Sequence, residues 1–288
     1  PATSWKELGR TTLSSTSSDI TVSSFTAKDN LMVLIYAQDG SQMGFRANSD
    51  TGNNYNVRRS IDGGSDSTLQ STKAQIHAAG GQKEFNVSFW NNVANQEKVF
   101  IGHTVSQGAN AGTSNPPSRN EIIGKWANTS DQITTLTVHN AGSTDFSSGS
   151  EVVVLGFDDD EADSGTNYWQ ELASTTLSSD SSSSGSTSSP QMQTGDFTAK
   201  KYLFVEMYLK SSSDPETVFN TDTGNNYAWR YNDDGGSDTS VTQSSAGWHY
   251  GGNEMKITLF VFNQSNKEKL YFGDIVYSGG TGSSTAPT

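Results

Sequence analysis

This 288-residue chain spells one long passage twice. "SWKELGRTTLSS" at 4–15 returns as "YWQELASTTLSS" at 168–179, "FTAK" at 25 returns at 197, and "EKVFIG" at 97–102 returns as "EKLYFG" at 268–273. Two polar strings, "DTGNNY" at 50–55 and "DGGSD" at 62–66, come back as Asp222–Tyr227 and Asp234–Asp238. The offset grows from 164 to 172 inside "SSDSSSSGSTSSPQMQTGD", a Ser/Gly/Thr tract of the composition expected for an enlarged surface loop. Repetition at this length means two copies of one domain. We place copy one at 1–157, an acidic linker "DDDEADSGT" at 158–166, and copy two at 167–288.

Each copy must then bury a core of its own, and its apolar pattern decides how. "LMVLIYA" (31–37) and "YLFVEMYL" (202–209) have strand length and are too short for buried helices. Phe85, Val87 and Phe89 alternate with polar residues, as do Met255, Ile257 and Leu259, and no stretch shows a helical apolar stripe. Further strands are expected in copy one at 20–25, 43–48, 56–60, 99–105, 121–127, 133–139 and 151–157. The fold class is all-β: two tandem antiparallel β-sandwiches, with a jelly roll favoured by strand number and domain size.

The copies end differently. Copy one continues past "GTSNPPS" with "RNEIIGKWANTSDQITTLTVHN" and "SEVVVLGFD", which hold three expected strands, whereas Thr288 aligns near Pro117. A sandwich short of three strands leaves an apolar face and open sheet edges. Three explanations stand: the native chain runs past Thr288, a neighbouring subunit supplies the strands, or the sheet is reduced. The loop-like composition of "GGTGSSTAPT" favours the first.

Composition narrows the function classes. The net charge of −13 repels nucleic acid and anionic lipid, and no Lys/Arg cluster larger than a pair such as Arg58-Arg59 offsets it. No apolar run approaches membrane-spanning length, and "PATSWKELGR" lacks the apolar core of a signal peptide, so Pro1 is expected to follow a removed Met or a trimming step. Cysteine is absent, which excludes disulfides and thiolate chemistry. No nucleophile elbow, phosphate loop, dinucleotide glycine pattern or H-E-x-x-H is present. Glu7 and Glu171 recur in "W-x-E-L", but a glycosidase needs two carboxylates across a cleft, and a strand-edge carboxylate beside a packed Trp is the simpler account. Sequons occur at Asn86, Asn128 and Asn263.

The repeated polar passage leaves three readings open. Its Gly, Asn and Asp residues favour structural turns flanking a strand, which suits retention in both copies. Alternatively Asp50, Asp62, Asp66, Asp222, Asp234 and Asp238 supply oxygens to Ca²⁺, should the loops converge. The third reading is a glycan surface built from Tyr55, Arg58, Tyr227, Arg230, Trp229 and Trp248.

The set "W-x-E-L…TTL", "FTAK", "DTGNNY…R…GGSD" and "GKW" resembles a recurring β-sandwich module of structural proteins in tailed phages and related viruses, over most of both copies. The resemblance implies a non-enzymatic virion surface component, such as a fibre, spike, decoration or minor capsid protein. Its implied partners are further copies of itself, other virion proteins and a host surface glycan; the charge and apolar pattern argue against nucleic acid and membrane, and Ca²⁺ from the Asp-rich turns is the one cofactor considered. It brings no catalytic residues. The absence of "GKW" from copy two departs from the pattern. The competing class is a carbohydrate-binding adhesin of a cell surface or secreted protein.

Overall fold

The computed structural model of the protein describes residues 5–77, 82–107, 112, 115–159, 167–178, 192–210, 215–232, 236–247 and 254–277. Most of the acidic linker, most of the Ser/Gly/Thr tract, Asp234, Trp248 and the stretch before Thr288 lie outside these residues. All regular structure among them is β.

Copy one holds β1 (Lys6–Thr12), β2 (Asp19–Val22), β3 (Asn30–Gly40), β4 (Met43–Ala47), β5 (Tyr55–Ile61), β6 (Ser67–Ser71), β7 (Ala74–Gln75), β8 (Gln82–Asn91), β9 (Lys98–Ser106), β10 (Ser118–Trp126), β11 (Leu136–Asn140) and β12 (Glu151–Phe157). They form an eight-stranded sheet, β1-β12-β3-β8-β9-β10-β5-β6, and a four-stranded sheet, β2-β11-β4-β7. The chain passes between the two sheets as a jelly roll does, with the β9–β10 hairpin inserted between β8 and β5. Between the sheets lie Ile20, Leu31, Val33, Ile35, Phe45, Trp90, Phe100, Trp126 and Val138.

β3 explains its own unbroken apolar run. Leu31, Val33, Ile35 and Ala37 point into the sandwich, while Met32, Leu34 and Tyr36 point to the opposite face and are buried there as well. A strand covered on both faces has no reason to alternate.

Copy two supplies that second cover. It holds β13 (Tyr202–Lys210), β14 (Glu216–Thr217), β15 (Tyr227–Tyr231), β16 (Thr239–Gln243), β17 (Ala246–Gly247), β18 (Glu254–Phe262) and β19 (Leu270–Tyr277). β13-β18-β19 repeats β3-β8-β9, β15-β16 repeats β5-β6, and β14-β17 repeats β4-β7. The face of β13-β18-β19 carrying Tyr202, Phe260, Phe262 and Phe272 packs on the outer face of the large sheet. The Tyr36 and Phe262 rings stack at 3.8 Å, Phe85 lies 5.6–6.0 Å from Tyr202, Phe262 and Phe272, and His103 stacks on Phe272 at 5.5 Å. The result is three stacked sheets, with the copies docked along an aromatic seam.

Copy two is also where repetition fails to repeat structure. Residues 170–176 match β1 in sequence but form no strand. In copy one β1 pairs with β12 alone, and no described strand of copy two corresponds to β12. A β-strand is defined by its hydrogen-bonded neighbour, so the same residues without that neighbour stay irregular.

Candidate functional site

The "DTGNNY" passage is a turn built around one carboxylate. Asn48 and Ser49 take positive φ, which brings the chain back so that Asp50 Oδ1 accepts the Gly52 N–H at 2.7 Å and Oδ2 accepts from Asn54 Nδ2 at 2.9 Å. The Tyr55 hydroxyl accepts the Ala47 N–H at 2.9 Å and donates to the Asp50 carbonyl at 3.1 Å. Into this cradle comes Trp126, the last residue of β10, whose indole N–H donates to Asp50 Oδ2 at 2.7 Å. Burial works against the charge on Asp50, but the bonds from Asn54, Trp126 and Gly52 outweigh it and hold the carboxyl below its ordinary value.

Copy two builds the same cradle from its own residues. Asn220 and Thr221 have positive φ, Asp222 accepts from Gly224 N–H at 2.9 Å and from Asn226 Nδ2 at 3.1 Å, and the Tyr227 hydroxyl joins Phe219 N–H to the Asp222 carbonyl. No indole reaches Asp222 among the described residues.

The "DGGSD" passages meet each other across the seam. Gly63, at φ +69°, sits so close to copy two that a Cβ there would fall 2.2 Å from Asp238 Oδ1. Arg119 donates from Nε and Nη2 to the two Asp238 oxygens at 3.1 and 2.7 Å, and also pairs with Glu121. Arg230 donates to the Pro117 carbonyl at 2.9 Å and lies 3.5 Å from Asp62, whose Oδ1 accepts from Ser118 Oγ and the Arg119 N–H. Glu151 is a second polar hub on the seam, accepting from Thr12, Tyr202 and Arg10 and pairing with Lys201. Burial opposes its charge, and the bonds from Thr12, Lys201 and Tyr202 outweigh burial and hold its carboxyl low.

This geometry places each residue of the calcium and glycan readings. Asp50 and Asp62 stand at opposite ends of the seven-residue β5, so they do not converge on one ion within copy one. Asp62 and Asp238 do come together, across the seam, and arginines occupy them. Asp66 pairs with Arg58 at 3.4 Å, Asp222 braces its own turn, and Asp234 is not described. Of the glycan candidates, Tyr55, Tyr227 and Trp229 are buried, Arg230 is engaged at the seam, Trp248 is not described, and Arg58 alone stands exposed at a surface hollow. Asn86 of the first sequon is buried in β8 and donates to the His103 carbonyl and to Thr104.

That hollow, of about 660 Å³, lies on the part of the large sheet that copy two leaves uncovered. Val99, Ile101 and Ile123 are 47%, 53% and 52% exposed there, beside Trp5, Phe89 and Phe157 and rimmed by Asn56, Arg58 and Lys125. Sequence reasoning missed it, although the outward residues Val99, Ile101 and Ile123 are apolar where a solvated sheet face would carry polar ones. Inside the sandwich a buried polar group, also missed, joins Glu84 to His77 Nε2 at 3.2 Å, with Asn120 on His77 Nδ1 at 2.9 Å. Burial pushes the Glu84 carboxyl well above its ordinary value.

Searches of protein families, of curated proteins and of solved structures found no match to this chain.

Proposed function

We propose that the protein is a non-enzymatic structural component of a virion surface, working as a fibre, spike, decoration or minor capsid subunit that assembles through its sheet faces. The observation that carries this reading is the apolar patch of Val99, Ile101 and Ile123 on two adjacent strands. Contiguous exposed apolar surface of this kind marks contact with another macromolecule, and its aromatic flank with a basic rim is the usual make-up of a protein interface. The sequence resemblance supplies the virion setting. The arginine-bridged, aromatic seam supports it too, because it presents both copies as one stiff body suited to a projecting element.

The test is cryo-electron microscopy of particles from the source material, together with light scattering of the purified protein. Symmetric copies on the particle and self-association abolished by Ile101→Lys are expected. A monomer at all concentrations, absent from particles, overturns the reading.

A second reading, glycan binding as an adhesin, draws on the same hollow, where Arg58, Asn30 and Asn56 stand beside the Trp5 and Phe89 rings. Saturable glycan binding lost in Trp5→Ala, without self-association, would favour it.

A further inference from the structure

We infer that copy one binds a monovalent alkali cation inside its sandwich, held by side-chain oxygens of Glu84, Asn86 and Ser106. The three share the inner face of the large sheet, where Glu84 and Asn86 stand beside Ala37 and Ile35, and Ser106 stands opposite Glu84. All three are 0% exposed. Directly opposed side chains on one face start about 5 Å apart and diagonal ones about 7–8 Å, so Glu and Asn reach a common centre with the hydroxyl.

Their oxygens mark the site. Both Glu84 oxygens, Asn86 Oδ1 and Ser106 Oγ are buried with no hydrogen-bond partner among the described residues. Asn86 cannot turn to relieve this, because its amide nitrogen already donates to the His103 carbonyl and to Thr104 Oγ1, each at 2.9 Å. Thr104 Oγ1 donates in turn to the Ile76 carbonyl at 3.3 Å. Glu84 is fixed from the other side: His77 Nε2 lies 3.2 Å from Oε1, and Asn120 holds His77 Nδ1 at 2.9 Å. The Ile76 and His77 amides are anchored in turn on the Met43 carbonyl. No lysine or arginine among the described residues pairs with Glu84, and burial alone pushes its carboxyl up. A pocket of acceptor oxygens with one carboxylate and no cation of its own is completed by a positive ion.

Copy two shows that the fold does not require this polarity. Met255, Ile257 and Ile275 hold the positions of Glu84, Asn86 and Thr104 in the same strand pairing, and Met255 and Ile257 are 1% and 0% exposed. Unpartnered buried oxygens cost stability, so a polar set standing where an apolar one serves has a ligand to hold. The donor set selects the ion. One carboxylate balances a single positive charge, whereas a divalent ion would leave excess charge in the core, and Ca²⁺ takes six to eight oxygens. No group of three His, Cys, Asp or Glu among the described residues suits a transition metal. Na⁺ and K⁺ accept carboxylate, amide and hydroxyl oxygens, with water in the remaining positions.

The experiment is a melting series on the 288-residue protein in NaCl, KCl and tetramethylammonium chloride at equal ionic strength. Tetramethylammonium carries the same charge but is too bulky for side-chain oxygens to coordinate. Above the dissociation constant, each tenfold rise in Na⁺ or K⁺ is expected to raise the melting temperature by roughly 2–4 °C, with no such rise in tetramethylammonium. The double variant Glu84→Met with Asn86→Ile carries the residues of copy two at these positions, and is expected to fold and to lose the dependence. A crystal of the parent protein grown with Rb⁺ gives a readout free of variant folding: an anomalous peak in contact with Glu84, Asn86 and Ser106 is expected. Equal melting in the three salts, a dependence that survives in the double variant, or water alone at the three side chains overturns the proposal.

Discussion

Tyr36 and Tyr208 hold the same place in the two copies and have opposite surroundings: one is 0% exposed beneath Phe262, the other 69% exposed. Phe25 and Phe197 of the repeated "FTAK" differ in the same way, at 5% and 41%. The tetrapeptide FTAK is identical around Phe25 and Phe197, so that difference comes from what arrives from elsewhere in the chain, whereas around the tyrosines Leu34 has become Glu206 and Gln38 has become Lys210. β10, β11 and β12 close copy one, and copy two covers its back. In copy two the same skeleton meets copy one through Tyr202, Phe262 and Phe272 on its outer face, with Tyr208 beyond that contact, while its inner face buries Met255, Ile257, Leu259 and Val261 and leaves Leu203, Val205, Met207 and Leu209 half-buried. The comparison teaches that a repeat fixes turns and strand order, while burial depends on the neighbours each copy obtains.

The largest expected difference comes from the cradle. Trp126→Ala removes a buried ring and leaves Asp50 short of a donor, and is expected to destabilise the protein by about 3–5 kcal/mol in urea unfolding. Asp222→Ala, in the open cradle, is expected to cost under about 1 kcal/mol. Equal losses would break the comparison. Next come the paired tyrosines: Tyr36→Ala is expected to cost about 3 kcal/mol, and Tyr208→Ala to stay within about 0.5 kcal/mol. At the seam, Asp238→Ala leaves the Arg119 guanidinium without its two-oxygen partner, with an expected loss of about 2–3 kcal/mol, or separate melting of copy two by calorimetry.

Two glutamates sharpen the contrast through pH. Glu151 has a depressed carboxyl, so its stabilisation is present above the ordinary carboxylate range and is lost as pH falls through its folded-state value. Glu84 has a raised one, so the folded state resists its ionisation and loses stability as pH rises. Its counterpart in copy two is Met255, which does not titrate. In tetramethylammonium chloride, without alkali ions, Glu84→Gln is therefore expected to match the parent protein in acid and to unfold at higher urea concentration near neutrality. The smallest expected effect is that of Ca²⁺: millimolar additions are expected to leave the melting temperature unchanged, because protein donors already occupy Asp50, Asp62 and Asp238.

The sequence announced much of the fold. The repeat, the apolar runs of β3 and β13, and the alternation of β8 and β18 are local patterns, and they carry into the structure directly. Even the seam had a signature: Met32, Leu34 and Tyr36 keep β3 apolar on both faces, whereas Glu206 and Lys210 break the outer side of β13. β1 and its copy at 170–176 could not be separated in this way, because their difference lies in a partner strand some 140 residues distant in copy one. The meeting of Asp62 with Asp238 was equally hidden, since it depends on how the copies dock. Convergence of Asp50 with Asp62 failed for a plain reason, the length of the strand between them.

Copy two is held to copy one by its outer face, and the edge of β13 that corresponds to the β12-paired edge of β3 is unpaired among the described residues. Native-state hydrogen exchange, read strand by strand, tests it most directly. The account predicts that β3, β8 and β12 exchange only on global unfolding, that residues 170–176 exchange fast, and that alternate amides of β13 exchange far sooner than their counterparts in β3. Equal protection of β3 and β13, with slow exchange across 170–176, would contradict it.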